Sequence, residues 1–168
     1  MLRPQVSDEM TAKMAPPRKC GDCGEREVSP VVLPVYRVEL NHDGKSYPIE
    51  PADFAVFRCG ACGVVVLDDD AERRLSEALR DAAGLLQPGA IRGHREALEL
   101  EVGQLAPLLG VSEAALGRWE EGAQIQPRAL DLWMRVFFHV PEARVYTGGL
   151  ARSDRGAAAS PIASEPRS

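Results

Sequence analysis

Residues Gln104–Gly122 read QLAPLLGVSEAALGRWEEG, and their spacing decides the fold of the second half of the chain. Leu105, Leu108 and Leu109 recur at helical spacing, a Gly110-Val111 pair interrupts, and Ala115, Leu116 and Trp119 resume the period. Gly110 suits a tight turn because it takes positive φ without strain. Ser112 stands at the N-cap of the second helix, with Glu113 in its first turn and Val111 placed to staple onto Leu116. Gly122 supplies the stop. Two short helices joined by a glycine-containing turn make a helix-turn-helix pattern, whose second helix is shaped for a DNA major groove. A helical hairpin packed in any all-α domain is the competing reading, since it needs similar leucines and glycine.

The order L-A-x-L-L-G-V-S followed by R-W-E-x-G resembles the Xre-type helix-turn-helix family, and here it is carried by Leu105, Ala106, Leu108–Ser112, Arg118–Glu120 and Gly122. Working outward, Ala90–Leu98 is expected as the preceding helix, with Ile91, Arg95 and Leu98 turned inward. Pro127, a residue favoured at the first helical position, opens a further helix with Leu130, Trp133, Met134 and Phe137 on one face. A last turn runs from Pro141 to Tyr146. Residues 147–168 are Gly-, Ala-, Ser-, Pro- and Arg-rich and are expected to be a flexible tail.

Upstream, Gln87-Pro88-Gly89 breaks the helical pattern. Before it, Asp68–Asp70 caps a helix over about 71–86, with Leu75, Ala78, Leu79, Ala82 and Leu86 as its apolar stripe. Earlier still the pattern is β-type. Val31–Leu33 and Val35–Leu40 are apolar and β-branched, and Asp43-Gly44 is a strong hairpin signal. Ser46–Ile49 returns, demoted to an edge by Pro48, and Phe54–Arg58 and Val64–Leu67 follow as strands. Residues 1–19 are polar and contain Pro4, Pro16 and Pro17, so disorder is expected there, and Met10 and Met14 are further candidate starts.

The chain carries four cysteines, as C-G-D-C-G at Cys20 and Cys23 and C-G-A-C-G at Cys59 and Cys62. Each C-x-x-C turn presents two sulfurs to one ion, and the glycine after it lets backbone N–H groups turn toward the thiolates. Two such knuckles separated by strands predict a zinc ribbon holding one structural Zn2+ per chain. A redox pair would need a single C-x-x-C beside a βαβ pattern, and two disulfides would need an oxidising compartment. Four cysteines leave no open position for catalytic water. His42 sits in the hairpin turn and is a poor substitute ligand.

The bulk composition narrows the class. At 168 residues the chain holds one ordinary domain or two small ones, and aromatics at 5% make its cores aliphatic. A formal charge of -5 means that DNA binding must come from a local patch. No apolar run of transmembrane length and no secretory h-region is present in the sequence, so a cytoplasmic location without membrane contact is expected. No Ser/His/Asp set or phosphate-cradling loop is visible and the three histidines are scattered, so an enzyme is not expected.

The whole run from about Cys20 to Arg144 resembles the MqsA/YgiT-type family. It carries C-x-x-C, strands, C-x-x-C-G, a connecting helix, I-R-x-x-R-x-x-L at Ile91, Arg92, Arg95 and Leu98, and then the Xre-type residues. The resemblance implies an α+β protein of two small domains: a zinc-ribbon-like β domain over 20–70, a connecting helix over 71–87, and an all-α helix-turn-helix domain over 88–146. It further implies an autoregulating antitoxin of a type II toxin-antitoxin system, or a related transcription regulator. Such a protein forms a homodimer through its C-terminal domain, binds palindromic promoter DNA, and neutralises a partner ribonuclease toxin. The chain departs from the family where Val102 replaces a common Gln, where Ala114 replaces an Asn, and at Pro107 inside the first helix of the motif.

The DNA-facing candidates are Ser112, Ala114, Ala115 and Arg118 on the second helix, with Gln124, Gln126 and Arg128 after it. Arg118 is the one side chain there suited to a bidentate contact with guanine, and its alternative is a surface ion pair with Glu121 or Glu101. Ala114 and Ala115 can meet a thymine methyl. Gln124, Gln126 and Arg128 lie where phosphate contacts form, or are plain surface side chains. Trp119 and Glu120 read as structural. Exposed parts of Leu132, Val136, Phe137 and Phe138 are candidates for the dimer contact. The rival function is a zinc-containing protein-interaction module that binds a toxin or another partner without DNA, which the acidic balance favours.

Overall fold

The computed structural model describes residues 17–148. Among the described residues the fold is α+β, with five strands in the N-terminal part followed by helices. The strands are β1 (Val28–Val35), β2 (Val38–His42), β3 (Lys45–Ile49), β4 (Ala52–Cys59) and β5 (Val65–Val66). The helices are α1 (Asp69–Ala83), α2 (Pro88–Ala97), α3 (Val102–Leu109), α4 (Glu113–Glu121) and α5 (Arg128–His139), and residues 141–148 form α6. No helix among the described residues is long and apolar enough to cross a membrane. Residues 1–16 and 149–168, where disorder was expected, lie outside the described residues. Just inside them, Arg18 is bridged to Val28, and Thr147 is buried in α6 with its hydroxyl donating to the Ala143 carbonyl at 3.0 Å.

The described residues divide into two compact units, one of residues 17–38 with 50–74 and one of residues 39–49 with 75–148. This grouping differs from the boundaries read from the sequence, because the hairpin and most of α1 group with the helices.

In the first unit, β1, β4 and β5 form an antiparallel sheet in the order β1-β4-β5. Val28 pairs with Cys59, Val31 with Val56, and Leu33 with Phe54. Val28 exchanges both backbone bonds with Arg18, at 3.0 and 3.2 Å, on its side away from β4. Hydrogen-bonding direction alternates along a strand, so Pro30, Val32 and Pro34 also face outward. The two prolines thereby remove donors from the open edge of β1, a standard protection against strand addition. Phe54 is fully buried, stacked with Tyr36 at 5.0 Å and covered by the Arg74 guanidinium at 5.2 Å. Asp68 begins α1 by accepting the Ala71 N–H at 2.9 Å, and Asp69, Asp70 and Glu72 complement its N-terminal dipole.

In the second unit, β2 and β3 form a two-stranded hairpin whose Asp43-Gly44 turn has φ of 47° and 73°, as a type I′ turn requires. The helical core joins Leu86, Ile91, Leu105, Ala106, Leu109, Leu116, Trp119, Met134, Phe137 and Phe138. Leu105 and Leu116 are fully buried, each contributing on the order of 1.5–3 kcal/mol. The turn between α3 and α4 follows from three residues. Gly110 is left-handed at φ 71° and closes α3, Val111 donates to the Ala106 carbonyl, and the Ser112 hydroxyl accepts the Ala115 N–H at 3.2 Å. Pro107 is exposed and α3 continues through it to Leu109.

A buried polar cluster holds the chain after α1. Asp131 accepts from the Leu86 N–H at 2.7 Å, from Gln126 at 3.1 Å and from Arg135 at 2.8 Å. Gln126 also donates to the Leu86 carbonyl at 2.7 Å, while Arg128 and Arg135 donate to the carbonyls of Ala83 and Gly84. Arg80, 1% exposed, reaches from α1 to the carbonyls of Gly122 and Gln124. These bonds are why most of α1 belongs with the helices: its buried charge and its exit loop are satisfied there.

Candidate metal centre and the surface of α4

The pairing of Val28 with Cys59 places the loop before β1 beside the loop after β4. Each loop is a knuckle of the same design. In the first, the Cys20 N–H donates to the Glu25 carbonyl at 2.7 Å and the Gly24 N–H to the Cys20 carbonyl at 3.2 Å. In the second, the Cys59 N–H donates to the Val64 carbonyl at 3.0 Å and the Gly63 N–H to the Cys59 carbonyl at 2.9 Å. Both turns need a left-handed residue after the second cysteine, and Gly24 and Gly63 supply it at φ 81° and 78°. The Gly60 N–H ties the second knuckle to the Glu27 carbonyl at 3.0 Å.

The four sulfurs of Cys20, Cys23, Cys59 and Cys62 lie within 4.8 Å of one another. Across the knuckles, Cys20 to Cys62 and Cys23 to Cys59 are each 3.7 Å. Four sulfurs about 2.3 Å from a central ion stand about 3.8 Å apart in a regular tetrahedron, so the cluster fits a metal ion. Cys20 and Cys59 are buried, and Cys23 and Cys62 face solvent.

The electrostatics point the same way. The N–H groups of Cys23 and Asp22 pull the Cys20 thiol down to about 7, against the opposing effect of burial. At Cys23 the Glu25 N–H favours the thiolate, but burial and the three neighbouring sulfurs outweigh it and push the thiol up to about 12. Cys62 is likewise raised, its Val64 N–H outweighed by burial and the Cys59 and Cys20 sulfurs. One thiolate forms readily and the next ones resist it, which is the charge that a bound cation neutralises.

The expected DNA-facing residues separate into two sets. Ser112, Ala114, Arg118 and Gln124 are exposed on α4 and the loop after it, and Ala115 is half-buried against the core. Arg118 is paired with neither Glu121 nor Glu101; its Nε–H donates to Gln124 Oε1 at 3.0 Å. Gln126 is fully buried, with its Nε2 donating to Leu86 and Asp131 and its Oε1 enclosed without a partner, so it does not face an outside ligand. The backbone N–H of Arg128 is taken by Asp43 at 2.5 Å and its guanidinium by the Ala83 carbonyl. A carboxylate from this chain thus occupies the helix start where a phosphate was expected.

Two features hold α4 in place. Trp119 is core, as expected. Glu120 is buried in a bidentate pair with Arg95 of α2, at 2.7 and 2.8 Å, and Arg95 also donates to the Leu100 carbonyl. That pairing holds the Arg95 guanidinium above its ordinary pKa. Arg92 adds a bond to the Glu120 carbonyl at 2.9 Å.

Of the residues expected at a dimer contact, Phe137 and Phe138 are in the core, whereas Leu132 and Val136 are exposed. With Val140 they form an exposed apolar row at four-residue spacing on α5 and just beyond it. The sequence reading missed Arg80, Asp43 and Asp131, each of which has a partner more than forty residues away in the chain. No family model matches this chain, and no curated protein matches it.

Proposed function

We propose that this chain is a DNA-binding transcription regulator of the MqsA/YgiT type. In this reading α3, its turn and α4 form an Xre-type helix-turn-helix, and the four cysteines hold one structural zinc ion in a separate N-terminal domain. The observation that carries the reading is the surface of α4. It is locked from behind by Trp119 and the Arg95–Glu120 pair, and it presents Arg118 beside the methyl group of Ala114 and the bare backbone of Gly117. A rigid helix with one fork-shaped donor and little bulk is suited to approach a base edge. Zinc is favoured because four thiolates form a soft, closed donor set with no position for water; when bound, it ties the two knuckles together and supplies folding energy. The apolar row of Leu132, Val136 and Val140 supports a homodimer, which places two copies of Arg118 on a palindrome.

By the family resemblance, the regulator is an autoregulating antitoxin and its second partner a ribonuclease toxin. The protein-interaction module without DNA binding is favoured by a specific observation: Glu113 and Glu121 are exposed on the same helix as Arg118. Gel-shift titration on the gene's own upstream fragment, across a salt series, separates the two. Saturable binding that weakens as salt rises supports the regulator, and no binding even at low salt leaves the interaction module.

A further inference from the structure

We infer that Gln124 is a positioning residue for Arg118, restricting it to an end-on contact with guanine through Nη1 and Nη2. This rests on the DNA-binding reading above. An arginine reads the O6 and N7 acceptors of guanine with two parallel N–H groups, drawn either from Nη1 and Nη2 or from Nε and one Nη. Here the Nε–H is already committed to Gln124 Oε1 at 3.0 Å, so the side-on choice is closed and the terminal pair is left outward.

Gln124 is itself held on both sides. Its backbone N–H donates to the Arg118 carbonyl at 3.2 Å, and its own carbonyl accepts from Arg80 Nη2 at 3.2 Å. Arg80 is buried, 1% exposed, and its guanidinium also bonds the Gly122 carbonyl at 3.3 Å. The buried cation of α1 thus fixes the loop, the loop fixes Gln124, and the Gln124 amide fixes the guanidinium of the exposed Arg118. Ordering a long side chain before contact removes part of the entropic cost of binding.

The test uses a duplex selected by the full-length protein from a randomised library, with the same duplex carrying 7-deazaguanine in turn at each guanine. Gln124→Met keeps the length and flexibility of the side chain and removes the acceptor. We expect Gln124→Met to bind the selected duplex about three- to tenfold more weakly and to lose part of the penalty for 7-deazaguanine. Binding to random-sequence duplex should fall less than binding to the selected duplex, and the melting temperature should be unchanged. In an Arg118→Ala background the Gln124→Met loss should vanish. Without DNA, the Arg118 Nε–H should exchange faster in Gln124→Met than in the parent protein. Additive losses in the double variant, an equal loss on random duplex, or unchanged Nε–H exchange would overturn the inference while leaving DNA binding intact. Failure of the parent protein to enrich any duplex would remove the DNA-binding reading and this inference with it.

Discussion

The Asp43 carboxylate, at the tip of the β2–β3 hairpin, accepts the backbone N–H of Arg128 at 2.5 Å, across a separation of 85 residues. It therefore caps α5, whose own N-cap residue Pro127 has no side chain able to do so. Asp43 does two jobs, because it also takes the left-handed φ of 47° that the turn demands. Asp43→Ala should lose both, costing about 1–2 kcal/mol in urea denaturation. Asp43→Asn keeps an acceptor and tolerates the same φ, so it should lie within about 0.5 kcal/mol of the parent. Equal losses for the two variants would show that the carboxylate is not acting as a cap.

The pair of Arg95 and Glu120 predicts a larger effect. Both groups are desolvated and doubly bonded, so removing one strands a buried charge. Glu120→Leu alone should destabilise by about 3–5 kcal/mol. Adding Arg95→Met to it should recover part of that loss, since the orphaned charge is gone. Denaturation midpoints of the single and double variants check this. A double variant less stable than Glu120→Leu would mean that Arg95 acts through Leu100 and packing instead.

How much of this was legible in the sequence depended on distance along the chain. The gathering of Cys20, Cys23, Cys59 and Cys62 was legible because C-x-x-C-G fixes each knuckle locally. The Gly110 turn and the Ser112 cap are local too, and hydrophobic period placed Trp119 in the core. Gln126 and Arg128 were not legible. A glutamine in a polar loop reads as surface until Leu86 and Asp131 are known to need it. Phe137 and Phe138 failed as dimer candidates for a related reason: consecutive aromatics at a helix end can both be buried when neighbouring elements cover two sides. The hairpin's grouping with the helices was hidden in one side chain-to-backbone bond from Asp43.

Metal affinity should depend steeply on pH. The ligands must lose their protons, and Cys23 and Cys62 are both raised by burial and by their neighbouring sulfurs. Cys20, drawn down to about 7 by backbone N–H groups, is already partly ionised at neutral pH. Loading a thiolate site therefore displaces protons, and affinity rises with pH and falls in acid. Each proton displaced corresponds to about tenfold in affinity per pH unit. Competition against a chelator of known affinity between pH 6 and 8 measures the slope. A flat profile would contradict a thiolate-bound ion.

The exposed row on α5 gives the last prediction, which tests the homodimer. Leu132 and Val136 are 53% and 42% exposed on successive turns, and Val140 follows at 40%. Burying such a row against its symmetry mate removes apolar surface at a two-fold contact. Leu132→Lys with Val136→Lys should convert dimer to monomer in sedimentation equilibrium, because each copy then brings like charges to the two-fold contact. Folding should be unaffected, since neither side chain belongs to the buried core around Met134 and Phe137. Binding to a palindromic duplex should become weaker and lose its cooperativity, while binding to a single half-site stays the same. If the double variant sediments as the parent does, the dimer contact lies elsewhere on the chain.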